Sequence, residues 1–332
     1  MKPDLKDYKN QKIKEYIRSS TPQDGFGDLH DFLLSLINLF IYKEDGVKLV
    51  DLIQRDWGIF TNRVCGEKVL NDLIIESSED VSDKNVKTAN STVTYSPQIT
   101  ASVDLWEKLK KDIKEVHRFT TDISSLQSDR WIDLLDNDIP VQPDKIYYRA
   151  RIHYKKTDEF GIKDMGAREK GDCPAGRANP EGIPYLYLCE EPETTLYETR
   201  ATFHDDVSIG EFKLKEDLNL SIADLSKLDI NDRNLEILDM DIVSLAKRIL
   251  LIEAISQDMS KPMRRQDSLV EYVPTQFICE YLQKTRNVGG IRFSSSVYPK
   301  GLNVVIFNPE VMECIRVSKH HVTSLKISES II

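Results

Sequence analysis

Three stretches of this chain hold residue types able to do chemistry. Tyr147-Tyr148-Arg149-Ala150-Arg151 sets two arginines two residues apart. Gly176–Glu198, GRANPEGIPYLYLCEEPETTLYE, crowds Gly176, Pro180, Gly182 and Pro184 into a turn around Arg177 and Asn179. A short run with Tyr185 and Tyr187 follows, then a segment entered through Pro192 that ends on Glu198. The third stretch, Gly289-Gly290-Ile291-Arg292-Phe293-Ser294-Ser295-Ser296, closes on a serine run. Guanidinium groups suit phosphate, aromatic rings suit a flat heterocycle, and a carboxylate suits a developing cation. Together these demands describe NAD and the cleavage of its nicotinamide–ribose bond. The structural alternative is a solvated strand face for the arginines and a purely architectural turn.

Other chemistries find no support. There is no GxGxxG after a strand, no Walker A motif, no HExxH and no GxSxG. Five cysteines (Cys65, Cys173, Cys189, Cys279 and Cys314) are scattered without CxxC, and the six histidines are dispersed. Reduced thiols and no metal are expected, and His320-His321 reads as exposed tail. A formal charge of −10 argues against general nucleic-acid binding. The N-terminus opens no signal peptide, and the apolar stretch Phe32–Tyr42 is too short to span a membrane. A cytoplasmic protein is expected.

Two domains must position these residues. Residues 5–18 form a weak helical pattern and 21–27 a loop. Leu29, Phe32, Leu33, Leu36, Ile37, Phe40 and Ile41 repeat at helical spacing. Further helices are expected around Val47–Ile53, around Val69–Ile74, from Asp104 through Leu105, Leu109, Ile113 and Val116, and over 129–135. Ser77–Pro97 is too polar to order itself and reads as a mobile loop. Residues 1–140 thus read as an all-α domain, with the boundary near Pro140–Pro143. From Ile146 the period is two, with Arg149 and Arg151 on one strand face. Residues 157–172 read as a charged loop. Strands at 183–188, 207–214, 218–222, 290–295, 303–307 and 311–317 alternate with helices at 193–203, 241–256 and 272–282.

The second domain, 141–332, resembles the RES domain, named for its Arg, Glu and Ser. The resemblance rests on YYRAR (147–151), GRANPEG-x-PYLYL (176–188), the T-x-x-E ending at Glu198, YVPTQFICEYL (272–282), GGIRFSSS (289–296) and GLNVVIF (301–307), in the family's order. It implies an α+β fold with a split antiparallel sheet like that of ADP-ribosyltransferases. It also implies a bacterial toxin that degrades NAD by hydrolysis or phosphorolysis. NAD is then the substrate, phosphate a co-substrate where water is not the acceptor, and no cofactor is needed. The implied catalytic residues are Arg149, Glu198 and Ser295, with Arg177, Tyr187 and Arg151 binding substrate. The serine run leaves Ser294 open beside Ser295, and Arg151 stays open beside Arg149. Residues 1–140 are similar to the HEPN-like segments that precede some RES domains, which implies a regulatory or oligomerising role. An antitoxin or regulatory protein and a homo-oligomer are the implied partners, and phage defence an implied setting. An ADP-ribosyltransferase acting on a macromolecule would use the same arginine, tyrosine and glutamate. The other alternative is an inactive nucleotide-sensing module, against which the retained Arg149, Arg177, Glu198 and Ser295 argue.

Overall fold

The computed structural model describes residues 27–77, 87–124, 131–155, 160–226, 241–261, 269–298 and 300–324. The patterns expected at 5–18 and 21–26, and the centre of the Ser77–Pro97 loop (78–86), lie outside them. Contacts divide the chain into two units, 1–104 with 228–250, and 105–227 with 251–332. This division differs from a linear boundary near 140, because later sequence returns to the first unit.

The first unit is not all-α. Its helix Gly27–Asn38 stops where Phe40-Ile41-Tyr42 begins, and strand β1 (Phe40–Lys48) pairs antiparallel with β2 (Thr92–Tyr95). An aromatic and β-branched run favours the pleated surface, and helical spacing over a few residues does not tell the two states apart. The register shifts between Tyr42 and Val47, so Glu44-Asp45-Gly46 forms a bulge and not a break between helices. The mobile loop expected at Ser77–Pro97 is likewise corrected at its end, where TVTY is β2. Helices Leu49–Trp57 and Arg63–Ser77 pack on this ribbon around Leu36, Ile53, Trp57, Leu70 and Val93. Trp57 Nε1 donates to the Tyr95 hydroxyl (2.9 Å), which donates to the buried Asp56 carboxylate (3.1 Å). Helix Pro97–Glu115 starts at Pro97, a residue suited to a first turn, and not at Asp104. It buries Trp106, Leu109 and Ile113, while Val116 beyond its end is exposed.

The second unit is built on eight strands: β3 (Asp138–Pro140), β4 (Tyr147–Ile152), β5 (Leu186–Cys189), β6 (Asp206–Leu214), β7 (Ser221–Asp224), β8 (Gly290–Ser294), β9 (Leu302–Ile306) and β10 (Met312–His321). They form one sheet in the order β10-β6-β4-β5-β9-β8-β7-β3. It is mixed and not purely antiparallel, because β7 and β8 run parallel. Tyr147, Leu186, Leu188, Phe212, Val304 and Ile306 belong to one buried cluster on the sheet. Tyr148, Ala150, Ile152, Val207 and Ile209 belong to another, so the period of two in β4 separates two faces. A Cβ on Gly290 would stand 2.3 Å from the Val305 carbonyl oxygen, which is why β8 opens on glycine. His320 and His321 are not a tail. They end β10 opposite Val207 and Asp206, and His321 Nδ1 lies 2.8 Å from the Asp206 carboxylate.

Candidate functional site

A cavity of about 310 Å³ is lined from β4, β5, β8, β9 and the helices Pro192–Glu198 and Ile242–Ser260. Arg149, Arg177, Tyr187, Glu198 and Asn303 all reach its wall. Arg151 and Ser295 are not among the residues that line it, while Ser296 is.

Arg149 sits at the middle of β4, opposite Gly210 of β6. Its Nη1 donates to the Gly166 carbonyl (2.9 Å), and Arg151 Nη2 donates to the same oxygen (3.1 Å). Gly166 follows the 3-10 turn Ile162–Met165, whose Met165 is fully buried. Part of the stretch expected to be a surface loop therefore docks on the sheet and fixes both arginines. Among the described residues neither Arg149 nor Arg151 forms an ion pair. Burial, then the like charges of Arg151 and Arg168, pull Arg149 down to about 10. It remains a cation at neutral pH, held at a cost that an anion in the cavity would relieve.

Arg177 is held by the turn that carries it. Thr275 Oγ1 donates to the Arg177 carbonyl (2.6 Å), and Gln276 Nε2 donates to the Gly176 (2.8 Å) and Asn179 (3.0 Å) carbonyls. Both come from the helix Val273–Arg286, which explains the YVPTQ segment. The buried Asn179 amide donates to the carbonyls of Pro174 (3.1 Å), Pro180 (3.0 Å) and Ile183 (3.0 Å). The Arg177 guanidinium donates to the Asp258 (3.0 Å) and Lys261 (2.5 Å) carbonyls at the end of the Ile242–Ser260 helix. Burial lowers its pKa against the opposing pull of Tyr272 and Glu198.

The Tyr187 hydroxyl belongs to this same turn. It accepts from the Ala178 N–H (2.9 Å) and donates to Asn179 Oδ1 (2.8 Å), leaving the ring for the cavity wall. A Cβ on Gly176 would meet Asn179 Oδ1 at 2.4 Å and Tyr187 Oη at 2.6 Å, so only glycine fits.

Glu198 is the last residue of the helix Pro192–Glu198, where the helix dipole disfavours a carboxylate. Two donors compensate on one oxygen. Ser295 Oγ (2.7 Å) and Asn303 Nδ2 (2.6 Å) both donate to Oε1. Among the serines of the run, Ser295 is the one that reaches Glu198, while the Ser294 carbonyl accepts from Ser260 Oγ (2.5 Å). Ser295 Oγ also accepts from the Tyr298 N–H (3.1 Å), which directs its proton toward Glu198. Asn303 was not singled out in the sequence. Its signal there is one polar residue entering the apolar run LNVVIF. Cys189, also missed, donates to Asn303 Oδ1 (3.3 Å), and burial, then the nearby Glu198, pushes its thiol pKa up.

Among the described residues, no group of three or more His, Cys, Asp or Glu side chains is placed to hold a metal, and no helix is long and apolar enough to cross a membrane. A comparison with curated proteins finds no match. Among solved structures, the crystal structure of the M. tuberculosis MbcT–MbcA toxin–antitoxin complex is similar at 12% identity, with a TM-score of 0.29 over 55% of this chain and 87% of that chain. Residues 146–325 match the family model described as RES domain. That span is more than half of the 332 residues and carries every site residue above, so the chain belongs to the RES domain family.

Proposed function

We propose that this chain consumes NAD by breaking the bond between nicotinamide and the ribose C1. The observation that supports this best is a carboxylate held by two buried donors in the wall of an arginine-lined cavity. Arg149 and Arg177 receive the pyrophosphate, and the Tyr187 ring flanks the nicotinamide. As the C1–N bond breaks, its electron pair passes to the pyridinium nitrogen and neutral nicotinamide leaves. Glu198 stabilises the oxocarbenium-like ribose that remains. Water then adds at C1 and releases a proton, or phosphate adds and gives ADP-ribose 1″-phosphate. Membership in the RES family supports a toxin whose activity an antitoxin restrains in the cell.

The test is product analysis with NAD labelled in its ADP-ribose part, with and without phosphate. Free ADP-ribose or its phosphate is expected, with turnover reduced about 10²- to 10³-fold or more in Glu198→Gln. Label transferred to a macromolecule would make the chain a transferase. No consumption in either buffer would leave a nucleotide-binding module.

A further inference from the structure

We infer that Asn303 is a positioning residue that selects which oxygen of Glu198 meets the reacting ribose, an inference that rests on the NAD-cleaving reading. The two carboxylate oxygens of Glu198 are not equivalent. Oε1 takes both buried donors, Ser295 Oγ and Asn303 Nδ2, at 2.7 and 2.6 Å. Ser295 and Asn303 are 7% and 9% exposed, so both donors are largely shielded from bulk solvent. Among the described residues Oε2 receives no such donor, and the Glu198 side chain lines the cavity. A carboxylate free to rotate would present either oxygen. Two short bonds to one oxygen stop that rotation and leave Oε2 as the acceptor for a ribose hydroxyl or for the developing positive charge.

The direction of the Asn303 amide is itself determined. A carboxylate only accepts, so the amide must turn its NH2 toward Glu198 and its oxygen the other way. There the oxygen meets Cys189 Sγ at 3.3 Å. The thiol is buried beside the carboxylate and stays protonated, so it donates. The proton arrangement Cys189 S–H to Asn303 Oδ1, Asn303 N–H to Glu198 Oε1, has a single self-consistent direction. Reversing the amide would set its oxygen against the Glu198 oxygen and its NH2 against a thiol proton.

This role predicts a division between chemistry and binding. Asn303→Ala should lower kcat about 30-fold while KM for NAD and the affinity for ADP-ribose, which does not turn over, change less than about threefold. In a Glu198→Gln background the same substitution should add little, because Asn303 acts through Glu198. Cys189→Ala should lower kcat by a few fold, and Cys189→Ser, which restores a donor to Asn303 Oδ1, should recover much of that loss. A wild-type chain that cleaves NAD while Asn303→Ala matches it would overturn the inference and leave the NAD reading intact. Equal losses in kcat and ADP-ribose affinity, or full additivity with Glu198→Gln, would reduce Asn303 to a structural residue. A wild-type chain that leaves NAD untouched would end both readings together.

Discussion

Two arginines of the same sheet have opposite surroundings. Arg292, on β8, is closed by protein: its Nη2 and Nε donate to the buried Asp224 carboxylate at 2.6 and 3.1 Å, and Nη1 to Glu190 at 3.3 Å. Lys145 completes the cluster on Glu190 (2.8 Å). Arg149, on β4, has a carbonyl and two neighbouring cations instead. Burial lowers both, but hydrogen bonds and charge from Asp224 outweigh it at Arg292 and raise that group's pKa, while nothing comparable acts at Arg149. The one arginine is neutralised by the fold. The other lines the cavity with no carboxylate partner among the described residues. Sequence spacing treats them alike, since each stands in a short strand among apolar neighbours.

Removing each guanidinium in turn should have opposite effects at the two sites. Arg292→Met strands the buried Asp224 charge and should cost about 3 kcal/mol of stability, read as a lowered midpoint in urea. Arg149→Met removes a cation that the folded chain holds at a cost, and should keep the apo stability or raise it by up to about 2 kcal/mol. In the same variant, binding of NAD should fall at least tenfold. The pH dependence follows with its sign. The Arg149 pKa is lowered on folding, so the penalty is present below about pH 10 and is relieved as pH rises through that value. NAD affinity should therefore stay level between pH 6 and 9 and weaken above about 10. If Arg149→Met destabilises as much as Arg292→Met, the two sites do not differ in kind.

A smaller effect tests the turn that presents Arg177. Gly176→Ala drives a methyl group into Asn179 Oδ1 and the Tyr187 hydroxyl. Relief requires the turn to shift, at about 1–3 kcal/mol. The KM for NAD should rise with it, because Arg177 moves with the turn. An alanine variant with unchanged stability and KM would show that the turn does not position the arginine.

How far these contrasts were legible in the sequence depends on the range of the interaction. Motif order placed Arg149, Arg177, Tyr187, Glu198 and Ser295 in one domain, and the period of two gave Arg149 and Arg151 a common face. The roles of Thr275 and Gln276 were not legible, because their acceptors lie 98 and 100 residues earlier in the chain. Asp224 is likewise 68 residues from Arg292, and no local pattern joins them. Asn303 shows in sequence only as a polar residue in an apolar strand, and what it touches is 105 residues away. In the first unit the failure was of another kind. Phe40 and Ile41 fit the helical repeat of the preceding residues, but pairing with Thr94 and Tyr95 decides their state. Tertiary contact overrode a periodicity that two elements shared.

Tyr187 gives the mildest test, because one side chain serves both kinds of surroundings. Its hydroxyl is closed by protein, as Arg292 is, and its ring faces the cavity, as Arg149 does. Tyr187→Phe deletes the hydroxyl and leaves the ring. The Ala178 N–H and Asn179 Oδ1 each lose a partner, so stability should fall by about 1–2 kcal/mol. If the ring alone flanks the nicotinamide, kcat should stay within about twofold, and any change should appear in KM through the loosened Arg177 turn. A large fall in kcat with unchanged stability would mean that the hydroxyl leaves Asn179 during turnover to bond the substrate, and Tyr187 would then join Glu198 on the reacting side of the cavity.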